Sequence, residues 1–306
     1  ALSGAVQTLI DRIVFLRICE DRGLELEGRL MRLVDGHSLY DHLKELFRLA
    51  DGKYNSGLFH FADEKGRPGQ PDALANRLIV DDAVLKTIIK GLYDPNKPYD
   101  FSIMPPEILG QVYEQFLGKV IRITESGERA KVEDKPEVKK AGGVYYTPTY
   151  IVDHIVKNTV GRLLEGKTPK EAAELRIVDP ACGSGSFLIG AYQFLLDWHR
   201  DWYIADGAKK NKKVLVDLGN GRWVLSVEER KRILLNNIYG VDIDVQAVEV
   251  TKLSLLLKVL ENASGEELSP NQKLFQQRAL PDLDSNVKCG NSLLDHGHLG
   301  QRTLDA

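Results

Sequence analysis

The residues best placed to do chemistry crowd into one turn. In "IVDPACGSGSFLIGAY", residues 177–192, Asp179 precedes Pro180, and Ala181, Cys182, Gly183, Ser184 and Gly185 follow before an apolar run. A strand that ends in such a turn and opens a helix presents backbone N–H groups at the carboxyl end of a parallel sheet, the usual ligand position in that architecture. Gly183 and Gly185 let a ligand approach closely and permit dihedrals that other residues avoid. The helix N-terminus behind them favours a phosphate or a carboxylate. For a dinucleotide the pattern is incomplete, because Leu188 stands where a third Gly is expected. Asp197 and Asp201 have the spacing of a ribose-binding acid but fall inside the helix. Alone, the turn fits a tight strand-to-helix connection as well as it fits a ligand.

Other polar residues sit at comparable places. Asp242 and Asp244 end the run "NIYGVDID", and Asn291 follows "NVKCG". Thr147 and Pro148 close "GGVYYTP", where Thr147 suits a helix N-cap and Pro148 the first helical position. Thr147 fills that role with or without a ligand. Asp244 is better explained as the N-cap of the next helix than as a ligand. Tyr145 and Tyr146 suit a core as well as a binding site. Cys182 and Cys289 are expected to fill small spaces, without a chemical role.

The bulk numbers narrow the classes. The chain has 306 residues, 43% hydrophobic and 28% charged, a globular balance with room for two domains. No apolar run is long enough to span a membrane, and no signal peptide is visible. Three widely spaced cysteines argue against a disulfide framework and fit a reducing cytoplasm. No Cys/His spacing suggests a metal. With a formal net charge of −3, nucleic-acid binding would need a local basic face.

The elements that must position these residues follow from periodicity. Residues 1–118 are predicted to be helical. "AVQTLIDRIVFLRICEDRG" puts Val6, Leu9, Ile13 and Leu16 on one stripe with Gly23 as a stop, and "PPEILGQVYEQFLG" repeats the pattern with Ile108, Val112, Phe116 and Gly118. "DEKGRPGQP" is a loop between them. Residues 119–141 form a charged, exposed hairpin or linker, "VIRIT" and "AKV" flanking "ESGE". Its Lys131, Lys135, Lys139 and Lys140 could meet phosphate, but interleaved acids also fit a solvated linker. From residue 142 on, "LRIVD", "NIYGVDID" and "NVKCGN" alternate with the helices "SFLIGAYQFLLDWHRDWY" and "VQAVEVTKLSLLLKVLE". That alternation is half of a doubly wound sheet. A hairpin around Asn220-Gly221 is inserted, and Ser226 with Glu229 makes a capping box.

Taken together, "GGVYYTP", "DPACGSGSF", "GVDID" and "CGNSLL", in this order over about residues 142–294, resemble the gamma-order adenine-N6 DNA methyltransferases. The closer resemblance is to the single-chain restriction–modification enzymes, whose helical connector is similar to "FLRICEDRG" and "EILGQVYEQFLG". The resemblance implies a helical connector at 1–118 and, over 142–306, the S-adenosylmethionine-binding half of a Rossmann-like class I methyltransferase domain, α plus α/β overall. It implies that Tyr146, Thr147, Pro148 and Thr149 hold the methionine carboxylate. Asp179 would anchor the methionine end, and Ala181, Gly183 and Gly185 would supply close backbone contact. Asp242 would accept both ribose hydroxyls, with Ile243 beside it. Asn291, with Leu293, would read the cofactor's adenine.

The chain departs from the family in lacking the Asn/Asp-Pro-Pro-aromatic tetrapeptide. Its only Pro-Pro, Pro105-Pro106, lies between Met104 and Glu107 in the helical region. No nuclease constellation or target-recognition domain is evident. The expectation is therefore a fragment, inactive alone, of an enzyme that methylates adenine N6 in double-stranded DNA and also cleaves DNA. Alternatives are methylation of another amino group (cytosine N4 or a protein glutamine), a non-catalytic cofactor-binding or interaction module, and a nicotinamide-dependent oxidoreductase. In the family's strand order "LRIVD" lies between the second and fourth strands. With no fourth strand in the sequence, its edge is expected to be covered by another molecule or segment, self-association included, or to stay partly disordered.

Overall fold

In the computed structural model, the residues described are 2–54, 57–61, 72–75, 77–95, 100–105, 108, 110, 119–123, 130–134, 147–263 and 280–294. Helix α1 (Leu2–Asp21) stops where the sequence places its stop. Gly23 takes φ +69°, and its N–H donates to the Glu20 carbonyl at 2.9 Å. Ile13 and Leu16 are buried as the stripe requires, but burial runs further around the helix to Asp11, Arg12, Arg17 and Glu20. The charges of "FLRICEDRG" hold the helical region together. The Arg17 guanidinium lies 4.0 Å from the Tyr93 ring centroid. The Glu20 carboxylate accepts the N–H groups of Gly28 and Leu30 at 3.0 and 2.8 Å, and the Tyr93 hydroxyl. Helices α2 (Leu39–Tyr54) and α3 (Asp82–Leu92) pack on each other, α3 capped by Asp81. Val112, Phe116 and the loop "DEKGRPGQP" lie outside the described residues.

Strands β1 (Lys119–Ile123) and β2 (Ala130–Asp134) pair antiparallel, from Lys119↔Asp134 to Ile123↔Ala130, the hairpin that the charged segment predicts. Residues 131–133 are exposed. Lys135, Lys139 and Lys140 lie outside the described residues.

Helix α4 (Thr149–Val156) continues through a π-helical turn, Lys157–Gly161, into a last turn at Arg162–Leu164. It starts one residue later than expected. Pro148, at φ −57° and ψ 140°, is the N-cap and not the first helical residue, so Thr147 precedes the cap. A short helix α5 (Pro169–Ala172), with a full Thr168/Glu171 capping box, leads into the sheet. Strand β3 (Ile177–Asp179) pairs in parallel with β6 (Ile238–Asp242), and β6 in parallel with β7 (Val287–Cys289). The order is β3-β6-β7. Between β3 and β6 come helix α6 (Ser186–Ala205), the hairpin β4 (Leu215–Asp217) with β5 (Trp223–Leu225), and helix α7 (Val227–Asn237). Asn220 and Gly221 take φ +53° and +74°, as the two-residue turn signal requires. Helix α8 (Val245–Val259) joins β6 towards β7 and packs on both.

One expectation is corrected here. Only half of the Ser226/Glu229 capping box forms. Ser226 Oγ accepts the Glu229 N–H at 3.3 Å, but the Glu229 carboxylate turns to Arg232 and Tyr203 instead of the N-cap backbone. Among the described residues β3 is an edge strand, paired on one side with β6. Val178 is 61% exposed on one face of β3. Among the described residues, no helix is long and apolar enough to cross a membrane.

Candidate functional site

The site forms where β3, β6 and β7 end. Each strand delivers a polar residue because an apolar run stops at the sheet's rim. Asp179 ends β3, Asp242 ends β6, and Asn291 follows β7. Backbone bonds tie the three ends together. The Cys182 N–H donates to the Val241 carbonyl at 2.9 Å, and the Gly290 N–H to the Asp242 carbonyl at 2.9 Å.

Asp242 organises the glycine turn. Its Oδ2 accepts the Gly183 N–H and its Oδ1 the Asp244 N–H, both at 2.8 Å. Each carboxylate oxygen has a second lone pair for a ligand donor. Gly183 and Gly185 both take positive φ, +53° and +85°. At Gly185 space is closed as well, since a Cβ would stand 2.7 Å from Thr251 Cγ2. Thr251, on α8 and fully buried, donates its hydroxyl to the Gly183 carbonyl at 2.9 Å. Sequence reasoning missed Thr251. The available signal was a polar residue on the core face of an otherwise apolar helix.

The remaining positions divide clearly. Ala181 is exposed, and its N–H donates to Asp179 Oδ1 at 3.1 Å. Burial raises the Asp179 carboxyl above its ordinary range, the Ala181 N–H lowers it, and the charge of Asp242 raises it further. The rim is thus acidic, with two carboxylates at neighbouring strand ends. Ile243 and Leu293 are large apolar residues left 73% and 91% exposed at the ends of β6 and β7. Asn291 is exposed, and its Oδ1 accepts the Leu293 N–H at 3.0 Å. Asp244 is the N-cap of α8, accepting the Gln246 N–H at 2.8 Å, so the capping expectation holds. Thr149 and Ser186, at the first positions of α4 and α6, line one cavity of about 270 Å³ with Val152, Gly190 and Phe194. Thr147 is half-buried and Pro148 exposed just ahead of α4. Tyr145 and Tyr146 lie outside the described residues.

Cys182 is buried, as expected, and burial pushes its thiol up to about 12, which keeps it inert. Cys289 is exposed, contrary to the expectation that it fills a small space: it shares a sheet face with buried Val287 but stands at the very end of β7, at the rim. Among the described residues, no cluster of His, Cys, Asp and Glu is arranged to hold a metal.

Comparison with known proteins finds related sequences. Residues 160–297 match the family described as "MmeI, DNA-methyltransferase domain". Over 298 residues, 97% of the chain, it is 37% identical to the type II restriction enzyme and methyltransferase RM.Eco57I of Escherichia coli, and spans 28% of that protein. It is 26% identical over 214 residues to the adenine-specific methyltransferase BrxX of Escherichia coli, covering 59% of the chain and 16% of that protein. It is 24% identical over 255 residues to the adenine-specific methyltransferase PglX of Lacticaseibacillus casei, covering 69% of the chain and 19% of that protein. The chain therefore spans less than a third of the length of these relatives. These matches and the ordered motifs make the chain a relative of the single-chain restriction–modification DNA methyltransferases.

Proposed function

We propose that residues 142–294 form the S-adenosylmethionine-binding part of a Rossmann-like DNA adenine-N6 methyltransferase, with residues 1–118 as its helical connector. The observation that carries this reading is the rim itself. Asp242 presents spare lone pairs at one strand end, while Ile243 and Leu293 stand exposed at two adjacent ends. A carboxylate suits a ribose diol, two donors for two oxygens. Exposed apolar side chains suit the faces of a purine. The acidic pair Asp179 and Asp242 suits a ligand with cationic sulfonium and ammonium groups. Thr149 and Ser186, at two helix N-termini, suit its carboxylate. The residues present therefore fit the cofactor, which when bound supplies the methyl group.

Methyl transfer to adenine in double-stranded DNA belongs, in this reading, to the whole protein, as does cleavage. The adenine-specific names of two relatives support the choice of amino group. The sequence holds no Asn/Asp-Pro-Pro-aromatic tetrapeptide, so we expect no transfer by these residues alone. DNA contact by this chain is expected to be weak, salt-sensitive and independent of sequence, through exposed lysines such as Lys131. The β3 edge is the surface through which self-association is expected. The test of the cofactor assignment is calorimetric titration of the purified chain with S-adenosylmethionine and with its demethylated product. Saturable 1:1 binding supports the assignment, and no heat at millimolar ligand contradicts it.

A further inference from the structure

We propose that Gly110, in the helical region, is a positioning residue for the glycine turn, acting by letting its own segment seat directly against Ser184. The inference rests on the reading above that the turn holds S-adenosylmethionine.

Gly110 is buried, with helical backbone, and its φ is outside the left-handed region. Its conformation therefore does not demand glycine, and alanine would suit a helix better. What demands glycine is space. A Cβ at residue 110 would stand 3.1 Å from Ser184 Oγ, 3.3 Å from its Cβ and 3.5 Å from its carbonyl oxygen. Contacts that short force one partner to give by a few tenths of an ångström.

Ser184 is not free to give. It is 1% exposed and lies between two residues that are already gripped. The Gly183 N–H is held by Asp242 at 2.8 Å and its carbonyl by Thr251 at 2.9 Å. The Gly185 N–H donates to the Cys182 carbonyl at 2.8 Å, and Thr251 closes the space beside Gly185. A retreat of Ser184 would have to rotate the Gly183 and Gly185 peptides. Arg22 donates from Nη2 to the carbonyl of Met104, six residues before Gly110, at 3.2 Å and from Nη1 to the Leu257 carbonyl at 3.1 Å. The Ile108 N–H then donates to the Pro105 carbonyl at 3.1 Å. Leu257 and Thr251 both belong to α8. Helix α8 thus grips the turn through Thr251, and through Arg22 it is tied to Met104.

The experiment uses three variants of the chain: Gly110→Ala, Ser184→Gly, and the two combined. Removing the Ser184 side chain leaves its carbonyl, at 3.5 Å, as the nearest atom of that residue, an ordinary contact. The readouts are thermal unfolding, amide signals of the 27 selectively labelled glycines, and calorimetric affinity for the demethylated cofactor. In Gly110→Ala the Gly183 and Gly185 amide signals move, and affinity falls about tenfold, as for a small displacement of a positioned group. The combined variant recovers both to the Ser184→Gly level. Unchanged turn amides and affinity in Gly110→Ala would overturn the proposal. If Gly110→Ala does not fold, restoration of folding in the combined variant supports the contact, and continued unfolding overturns it. If the unmodified chain binds no cofactor, the cofactor reading fails, while the turn amides still decide the role of Gly110.

Discussion

The Gly183 N–H donates to Asp242 Oδ2 at 2.8 Å, joining residues 59 positions apart at the ends of two parallel strands. The acid of "GVDID" thus sets the path of the turn in "DPACGSGSF" before any ligand arrives. In the proposed reading, part of the cost of ordering the cofactor site is met by folding, which is preorganisation.

Thr251 secures the same turn from below, by its hydroxyl to the Gly183 carbonyl and its methyl against Gly185. Thr251→Val keeps the shape and removes the donor, leaving a partly buried carbonyl without that bond. Stability should fall by about 1–2 kcal/mol, and cofactor affinity severalfold, because the turn loses a fixed point. Denaturant unfolding and calorimetry on the same preparation check both. Unaltered affinity would confine Thr251 to packing.

Much of this site is legible in sequence because it is built from local rules. Short β-branched runs that stop at an acid mark β3 and β6, and Asn220-Gly221 and Asp244 announce a turn and a cap that both form. What is not legible depends on distant contacts. Nothing near Gly110 reveals that Ser184 presses on it, and nothing near Arg22 reveals the Leu257 carbonyl. The shift at Pro148 has a local cause. Proline fixes φ, which suits both the cap and the first helical position, but leaves ψ free, and ψ decides between them. Glu229 leaves its capping box because Arg232 and Tyr203 offer a charge-assisted pair within reach.

The exposed pair Ile243 and Leu293 is expected to serve binding and not folding. Replacing both by Ala should leave the melting temperature nearly unchanged, since neither is buried in the free chain. Affinity for the demethylated cofactor should fall by about 1–3 kcal/mol, the lost apolar burial against a purine. Equal affinity in the double variant would remove both residues from the site.

Asp11 makes a prediction about pH. It is buried in α1, where Gln7 donates to its Oδ1 at 2.7 Å, Arg12 is the neighbouring cation and Glu249 of α8 the facing acid. Burial pushes its carboxyl up to about 7, so between its ordinary range and pH 7 the folded chain holds a proton that the unfolded chain has lost. Stability from this group is complete below that window and falls as pH rises through it, by at most about 1.4 kcal/mol per pH unit. Asp11→Asn should flatten the decline between pH 5 and about 7 and be the more stable form above it. Urea unfolding at several pH values measures this, and parallel profiles for the two proteins would show that Asp11 does not titrate there.

The most direct measurement is calorimetric binding of S-adenosylmethionine to the chain and to its Asp242→Ala variant. That substitution removes the acceptor for Gly183 and Asp244 and the oxygens offered to the ribose. The expected result is 1:1 binding that weakens by a few kcal/mol at most, about 1.5–3, as for charge-assisted hydrogen bonds. The variant should still show a cooperative unfolding transition. Equal affinity in the two proteins, or no binding by either, would contradict the assignment of this rim as the cofactor site.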